Sequence, residues 1–215
     1  MGRNWVADVL DVLWPTECAG CGGARWGGDL WTWCAPCVEG LPKGLWPLRG
    51  LPEEIRSGWA YGSYEGPVGQ ALRRGKYRPD PRAILELGRL VAAAAPPQIC
   101  DMDVVIGVPQ SARRTRSRGF SPVGILSREL ASTLGLPEKK ALERRGGKSQ
   151  ASLSRADRRD NVASAFLSTQ EVAGEAVLLV DDVITSGETA AACARALLDA
   201  GAHRVSLLAV ASPRI

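Results

Sequence analysis

The sequence predicts an α/β fold in two parts: a small N-terminal module, then a larger domain built on a mostly parallel sheet. Three observations carry that prediction. Apolar runs at 104–108, 176–180 and 205–210 alternate with segments of helical period, the pattern of strands buried on both faces beneath packed helices. All seven tryptophans (Trp5, Trp14, Trp26, Trp31, Trp33, Trp46 and Trp59) fall before residue 60, while the remainder is built from Ala, Leu and Val with Arg, which implies two different cores. Within the tryptophan-rich part stand two C-x-x-C turns, Cys18-Ala19-Gly20-Cys21 and Cys34-Ala35-Pro36-Cys37, with twelve residues between them.

Residues 5–13 place Val6, Val9, Leu10 and Leu13 at helical spacing, which predicts a short amphipathic helix packed on its own domain. Asp8 and Asp11 interrupt its apolar character, so it makes a poor signal peptide. The two C-x-x-C turns follow. Each brings two thiolates to one side of a tight loop, and two such turns complete a tetrahedral S4 shell for structural Zn2+ on Cys18, Cys21, Cys34 and Cys37. Zinc binding, about 10–16 kcal/mol in apparent free energy, is enough to fold a module too small for a core of its own. Paired disulfides compete with this reading, and a rubredoxin-like iron shell would use the same thiols; a chain with no secretory signature favours metal.

The Pro- and Gly-rich run 41–52 reads as a linker, which divides the chain into residues 1–54 (helix, cysteine module and linker) and 55–215 (the α/β domain). A strand over 59–64 and helices over 68–76 and 82–95 lead to the buried strand 104–108. Ser121 and Pro122 form an N-cap and N1 pair for a helix carrying Ile125, Leu126, Leu130 and Leu134, stopped by Gly135. The strand ending at Val180, a helix over 189–200 stopped by Gly201, and the strand 205–210 complete a βαβ unit in a doubly wound sheet. Cys100 and Cys193 lack partners at ligand spacing and are expected to be buried. His203, after a helix end, is expected at the surface or in a cap.

The residues after 180 carry the most specific chemistry. Asp181 and Asp182 emerge at the carboxyl end of a buried strand, where ligands bind in open α/β sheets. Thr185, Ser186 and Thr189 then offer hydroxyls, Gly187 lets the backbone approach a ligand, and the helix behind them directs unpaired N–H groups outward. That turn makes a phosphate cup, and two acids beside a phosphate call for a ribose diol or a divalent cation. The pairing suggests a phosphorylated ribose with Mg2+.

Two further segments fit an anionic ligand. The loop after the first buried strand holds Arg113, Arg114, Arg116 and Arg118 within six residues, and guanidinium forks grip phosphate oxygens at two points. A polar, basic stretch over 144–162, including Lys148, Gln150, Arg155, Arg158 and Arg159, has little apolar content and reads as a mobile loop.

Residues 177–189 resemble, across all thirteen positions, the phosphoribosyl pyrophosphate (PRPP) motif of type I phosphoribosyltransferases. The resemblance implies that Asp181 and Asp182 hold the ribose hydroxyls with Mg2+, and that Thr185, Ser186, Gly187, Glu188 and Thr189 hold the 5′-phosphate. Taken alone the arginine loop could equally be a solvated basic loop; beside this motif Arg113 and Arg114 are read as a pyrophosphate loop, and the resemblance assigns residues 144–162 to a flexible loop that closes over the ligand. Six-oxopurine salvage enzymes carry an acid at the position of Thr185, so its absence argues against that substrate class.

The wider pattern is similar to the ComF family of competence proteins. It runs from Leu13-Trp14-Pro15-x-x-Cys18 through both knuckles and Arg118-Gly119-Phe120 to Gln150, Leu153-Ser154-Arg155, Arg158-Arg159-x-Asn161-Val162 and the PRPP motif. One departure is Ser121-Pro122, where the family usually has Asn-Gln. Membership implies a zinc module joined to a type I phosphoribosyltransferase-like domain. It also implies a role in DNA uptake for natural transformation, handling incoming single-stranded DNA on the cytoplasmic side. A metabolic phosphoribosyltransferase with a structural zinc module is the competing reading.

Charge agrees with a phosphate-rich partner. Residues 72–160 hold 19 Lys or Arg against 9 Asp or Glu, whereas the rest of the chain has 8 against 14. PRPP, single-stranded DNA and other DNA-uptake proteins are the partners expected, the first two because both satisfy such a field. No apolar run reaches the roughly 18–20 residues that span a bilayer, and a cytoplasmic protein is expected.

Overall fold

A computed structural model describes residues 17–24, 32–78, 81–144 and 165–213. The helix expected over 5–13, Trp5, Trp14, Trp26 and Trp31, and the flexible-loop residues Lys148, Gln150, Arg155, Arg158 and Arg159 lie outside the described residues.

The elements follow in order as α1 (Ala35–Glu39), β1 (Trp46–Pro47), β2 (Ser57–Gly62), α2 (Gly66–Tyr77), α3 (Pro81–Ala93), β3 (Val104–Gly107), α4 (Ala112–Arg118), α5 (Pro122–Leu134), β4 (Leu142–Arg144), β5 (Phe166–Ser168), β6 (Ala176–Val183), α6 (Glu188–Asp199) and β7 (Arg204–Ala211). The main sheet has the order β1-β2-β7-β6-β3, with only β1 antiparallel to its neighbour. β4 and β5 form a separate antiparallel hairpin.

Period-2 alternation sends the sheet's side chains into two apolar layers. Leu178, Val180, Val105 and Leu208 pack on one face with Leu72 of α2, Leu87 of α3 and Leu126 of α5. Val177, Leu179, Ile106 and Leu207 pack on the other with Cys193 and Leu197 of α6. Helices on both faces shut water away from the central strands, so Ala176–Val180 has no polar residue until its exit. The expected mostly parallel α/β sheet is therefore present.

Four expectations need correction. Trp33, Cys18 and Cys37 share one apolar cluster with Tyr61, Val68 and Leu72, so the cysteine module packs into the domain's core. Tryptophan content misled because module and domain meet through side chains of different kinds. The 41–52 run contributes β1, paired to β2 through Trp46↔Ala60 and Pro47↔Trp59. Proline is tolerated on such an edge strand. Arg113 and Arg114 lie on the helix α4, capped by the Ser111 hydroxyl and closed by Gly119 at φ 80°, where an irregular loop was expected. Cys100 is exposed, because it follows a 3-10 turn at the surface; Cys193 is buried as expected.

Candidate functional site

The register of β3 against β6 pairs Gly107 with Val180, and the amide of Val108 then donates to the carbonyl of Val180 at 2.9 Å. Both strands run in the same direction. The Pro109–Gln110 turn and the Asp181–Asp182 pair consequently emerge side by side on one edge of the sheet.

Successive strand residues face opposite sides, and the two acids divide accordingly. Asp181 lines a cavity of about 50 Å³ with Thr185, Ser186, Gly187 and Thr189. Gly187 caps α6 at φ 86°, a conformation that costs a glycine little, and the Ser186 hydroxyl accepts from the Glu188 amide at 3.4 Å. The exposed hydroxyls of Thr185, Ser186 and Thr189 ring the start of that helix. Burial, then the Asp182 charge, pushes the Asp181 carboxyl up to about 7, against the opposing pull of the Asp182 amide and the Lys76 charge.

Asp182 is more deeply buried and fully engaged. Its Oδ1 meets the Lys76 ammonium of α2 at 2.9 Å, and its Oδ2 accepts from the Gln110 amide at 3.0 Å. Ser121, the N-cap of α5, donates its hydroxyl to Gln110 Oε1 at 3.2 Å while accepting from the Gly124 amide at 3.1 Å. Sequence reasoning missed both Lys76 and Gln110. The place of Gln110, just after a buried strand on the ligand edge, was a usable signal; Lys76 on a distant helix offered none.

Lys76 also opens onto a second cavity, of about 500 Å³, lined by Tyr77, Arg78, Arg113, Arg114, Arg118 and Phe120 among others. The Arg118 guanidinium stands 6.0 Å from the centre of the exposed Tyr77 ring. The two arginines read as pyrophosphate ligands thus face a basic cleft beside the acid pair. The fit to Mg2+ is uneven: such an ion takes one or two carboxylates plus phosphate and water oxygens, and each Asp182 oxygen already accepts from one protein donor, one of them the Lys76 ammonium. Asp181 spends Oδ1 on the Asp182 amide at 2.8 Å.

The four cysteines of the N-terminal part lie with their sulfurs within 4.8 Å of one another. Cys21 and Cys34 are 3.7 Å apart, close to the edge of about 3.8 Å that a tetrahedron with 2.3 Å metal–sulfur bonds requires. The Cys34 amide donates to Cys18 Sγ at 3.2 Å and the Gly23 amide to Cys21 Sγ at 3.4 Å. Burial raises Cys18, but backbone donors, chiefly from Cys34, outweigh it and bring the thiol down to about 6. Burial and the neighbouring sulfurs push Cys37 up. A cation at the centre is what would let all four ionise together, and the set fits zinc. Gly20 is required here, since a Cβ would meet Cys37 Sγ and the Trp33 ring at 2.9 Å.

Fold and site together define a class. Residues 102–214, just over half the chain, match the model of the phosphoribosyl transferase domain, and the chain belongs to that family. Among curated proteins it is similar to the DNA utilization protein YhgH of Salmonella typhi, 36% identical over 107 residues, covering 49% of this chain and 47% of that protein. It is also similar to Competence protein F of Haemophilus influenzae, 32% identical over 114 residues, covering 51% and 50%. The chain spans about half the length of these relatives. Among solved structures, the glutamine PRPP amidotransferase from B. subtilis, complexed with ADP and GMP, is 26% identical with a TM-score of 0.41, covering 59% of this chain and 25% of that one. No helix among the described residues is long and apolar enough to cross a membrane.

Proposed function

We propose that this protein is a ComF-like component of DNA uptake in natural transformation, which handles incoming single strands on the cytoplasmic side and carries a PRPP-binding site. The observation that carries the reading is the shared sheet edge. There a hydroxyl-ringed helix start and Asp181 stand next to Asp182, whose partner Lys76 lines the cleft holding Arg113 and Arg114, the kinds of group that a 5′-phosphate, ribose and pyrophosphate call for. The names of two relatives, a DNA utilization protein and a competence protein, support the cellular role.

In this reading Thr185, Ser186, Gly187, Glu188 and Thr189 hold the 5′-phosphate and Asp181 and Asp182 hold the ribose, with Mg2+ as the ligand's companion. Arg113 and Arg114 hold the pyrophosphate. Lys148, Gln150, Arg155, Arg158 and Arg159 close over it, and zinc on Cys18, Cys21, Cys34 and Cys37 stabilises the fold.

Calorimetry with PRPP tests the site: wild-type protein binds, and the Asp181→Asn, Asp182→Asn double variant does not. Absent wild-type binding, or equal binding by a folded double variant, refutes it. Transformation efficiency of a strain carrying that variant, at matched protein abundance, tests the role. A deletion strain that transforms normally but requires a nucleobase would point to a metabolic transferase instead.

A further inference from the structure

The Asp182–Lys76 pair has no counterpart in the reading of the motif, and it bears on the metal. Lys76 Nζ lies 2.9 Å from Asp182 Oδ1, with only 13% and 10% of the two side chains exposed. Water screens such a pair little, so it holds its geometry far better than a surface ion pair. The other oxygen is held by Gln110, itself anchored by Ser121. A divalent cation bound directly to Asp182 Oδ1 would share that oxygen with Lys76 and sit within a few ångströms of an ammonium, whose charge repels it.

Lys76 also lines the basic cleft with Arg78, Arg113, Arg114 and Arg118, and among the described residues no carboxylate side chain joins them in that lining. Its ammonium therefore stands between an acid and the place where pyrophosphate oxygens would lie. A bridging cation would occupy the same place. The five side-chain cations oppose entry of a free divalent ion and favour a bare polyanion.

We propose that Lys76 supplies, from the protein itself, the positive charge that links Asp182 to the pyrophosphate group, so that this site binds PRPP and inorganic pyrophosphate without a divalent cation. The proposal rests on the PRPP reading given above and changes its metal requirement. Lys76 would touch the ligand, and Gln110 and Ser121 would hold Asp182 in the orientation that aims the ammonium.

The test is calorimetric titration of full-length, zinc-loaded protein with PRPP and with pyrophosphate. Buffers are stripped of free divalent ions by a chelating resin, zinc content is verified, and each titration is repeated with millimolar Mg2+. Wild-type affinity for either ligand is expected to change by less than about threefold between the buffers. Lys76→Met is expected to lose about tenfold or more in the stripped buffer, the scale of one charge-assisted hydrogen bond, and to recover part of it with Mg2+. Lys76→Arg should retain metal-free binding. Wild-type binding that tightens tenfold or more with Mg2+ overturns the proposal while leaving the PRPP reading intact, and that arm needs no variant. Metal-free binding by a folded Lys76→Met protein equal to wild type also overturns it. Binding of neither ligand in either buffer removes the PRPP reading and this inference together.

Discussion

At Asp181, burial and the neighbouring Asp182 charge both resist ionisation, so the folded protein holds this proton up to about pH 7 rather than the ordinary 3.8. The sign follows from linkage: the folded state binds more protons than the unfolded one between those values, so stability falls as pH rises toward 7. Asp181→Asn removes that cost. The variant should exceed wild type in thermal stability by about 2 kcal/mol more at pH 8 than at pH 5, a difference of several degrees in Tm; equal shifts at both pH values would contradict the assignment. Gly187 tests the phosphate cup at the same scale. Alanine at φ 86° should cost about 1 kcal/mol of stability and weaken PRPP binding, because the start of α6 must shift. Unchanged binding by Gly187→Ala would place the 5′-phosphate elsewhere. The residue types at this turn were legible in sequence because strand, turn and helix start are consecutive in the chain.

At the scale of the element, α2 matters most, because it lies between the cysteine knuckles and the ligand edge. Arg74 pairs with Glu17 and packs so tightly on Gly22 that a Cβ there would meet its Nη1 at 1.9 Å. Two residues on, Lys76 reaches Asp182. The seating of the helix depends on Gly69, where a Cβ would lie 1.6 Å from the Tyr64 carbonyl oxygen. Gly69→Ala should therefore destabilise by about 3 kcal/mol or more and weaken PRPP binding, read by thermal melts and titration. A melt within a degree of wild type would show that the turn at Tyr64 yields. Sequence gave this helix nearly the right bounds, 68–76 against Gly66–Tyr77, yet nothing in its period says what lies above and below it. The same limit explains Arg113 and Arg114: their density promised an anion site, but the Ser111 cap and Gly119 stop that wind them into α4 are weaker marks than four arginines.

For the whole molecule, the shared apolar cluster makes the cysteine module part of the domain rather than an appendage. Cys37→Ser should lower zinc content and Tm, and should weaken PRPP binding severalfold, because α2 rests on the knuckles through Arg74. Zinc-free protein with unchanged PRPP affinity would separate the two. Direct contact with single strands through the basic surface predicts that log K falls linearly with log salt concentration, with a slope of about −0.7 per phosphate neutralised. Salt-independent or undetectable binding by zinc-loaded protein would remove that contact from the mechanism.

The sequence by itself determined the α/β class, the four thiols and the acid–hydroxyl turn, because each is written in residues adjacent along the chain. Only the tertiary structure decided that Asp182 is already paired with Lys76, that Asp181 alone faces the cup, and that the module shares the core. Those facts depend on which surfaces parallel pairing and helix packing bring together across long separations, and local pattern carries no record of such distances.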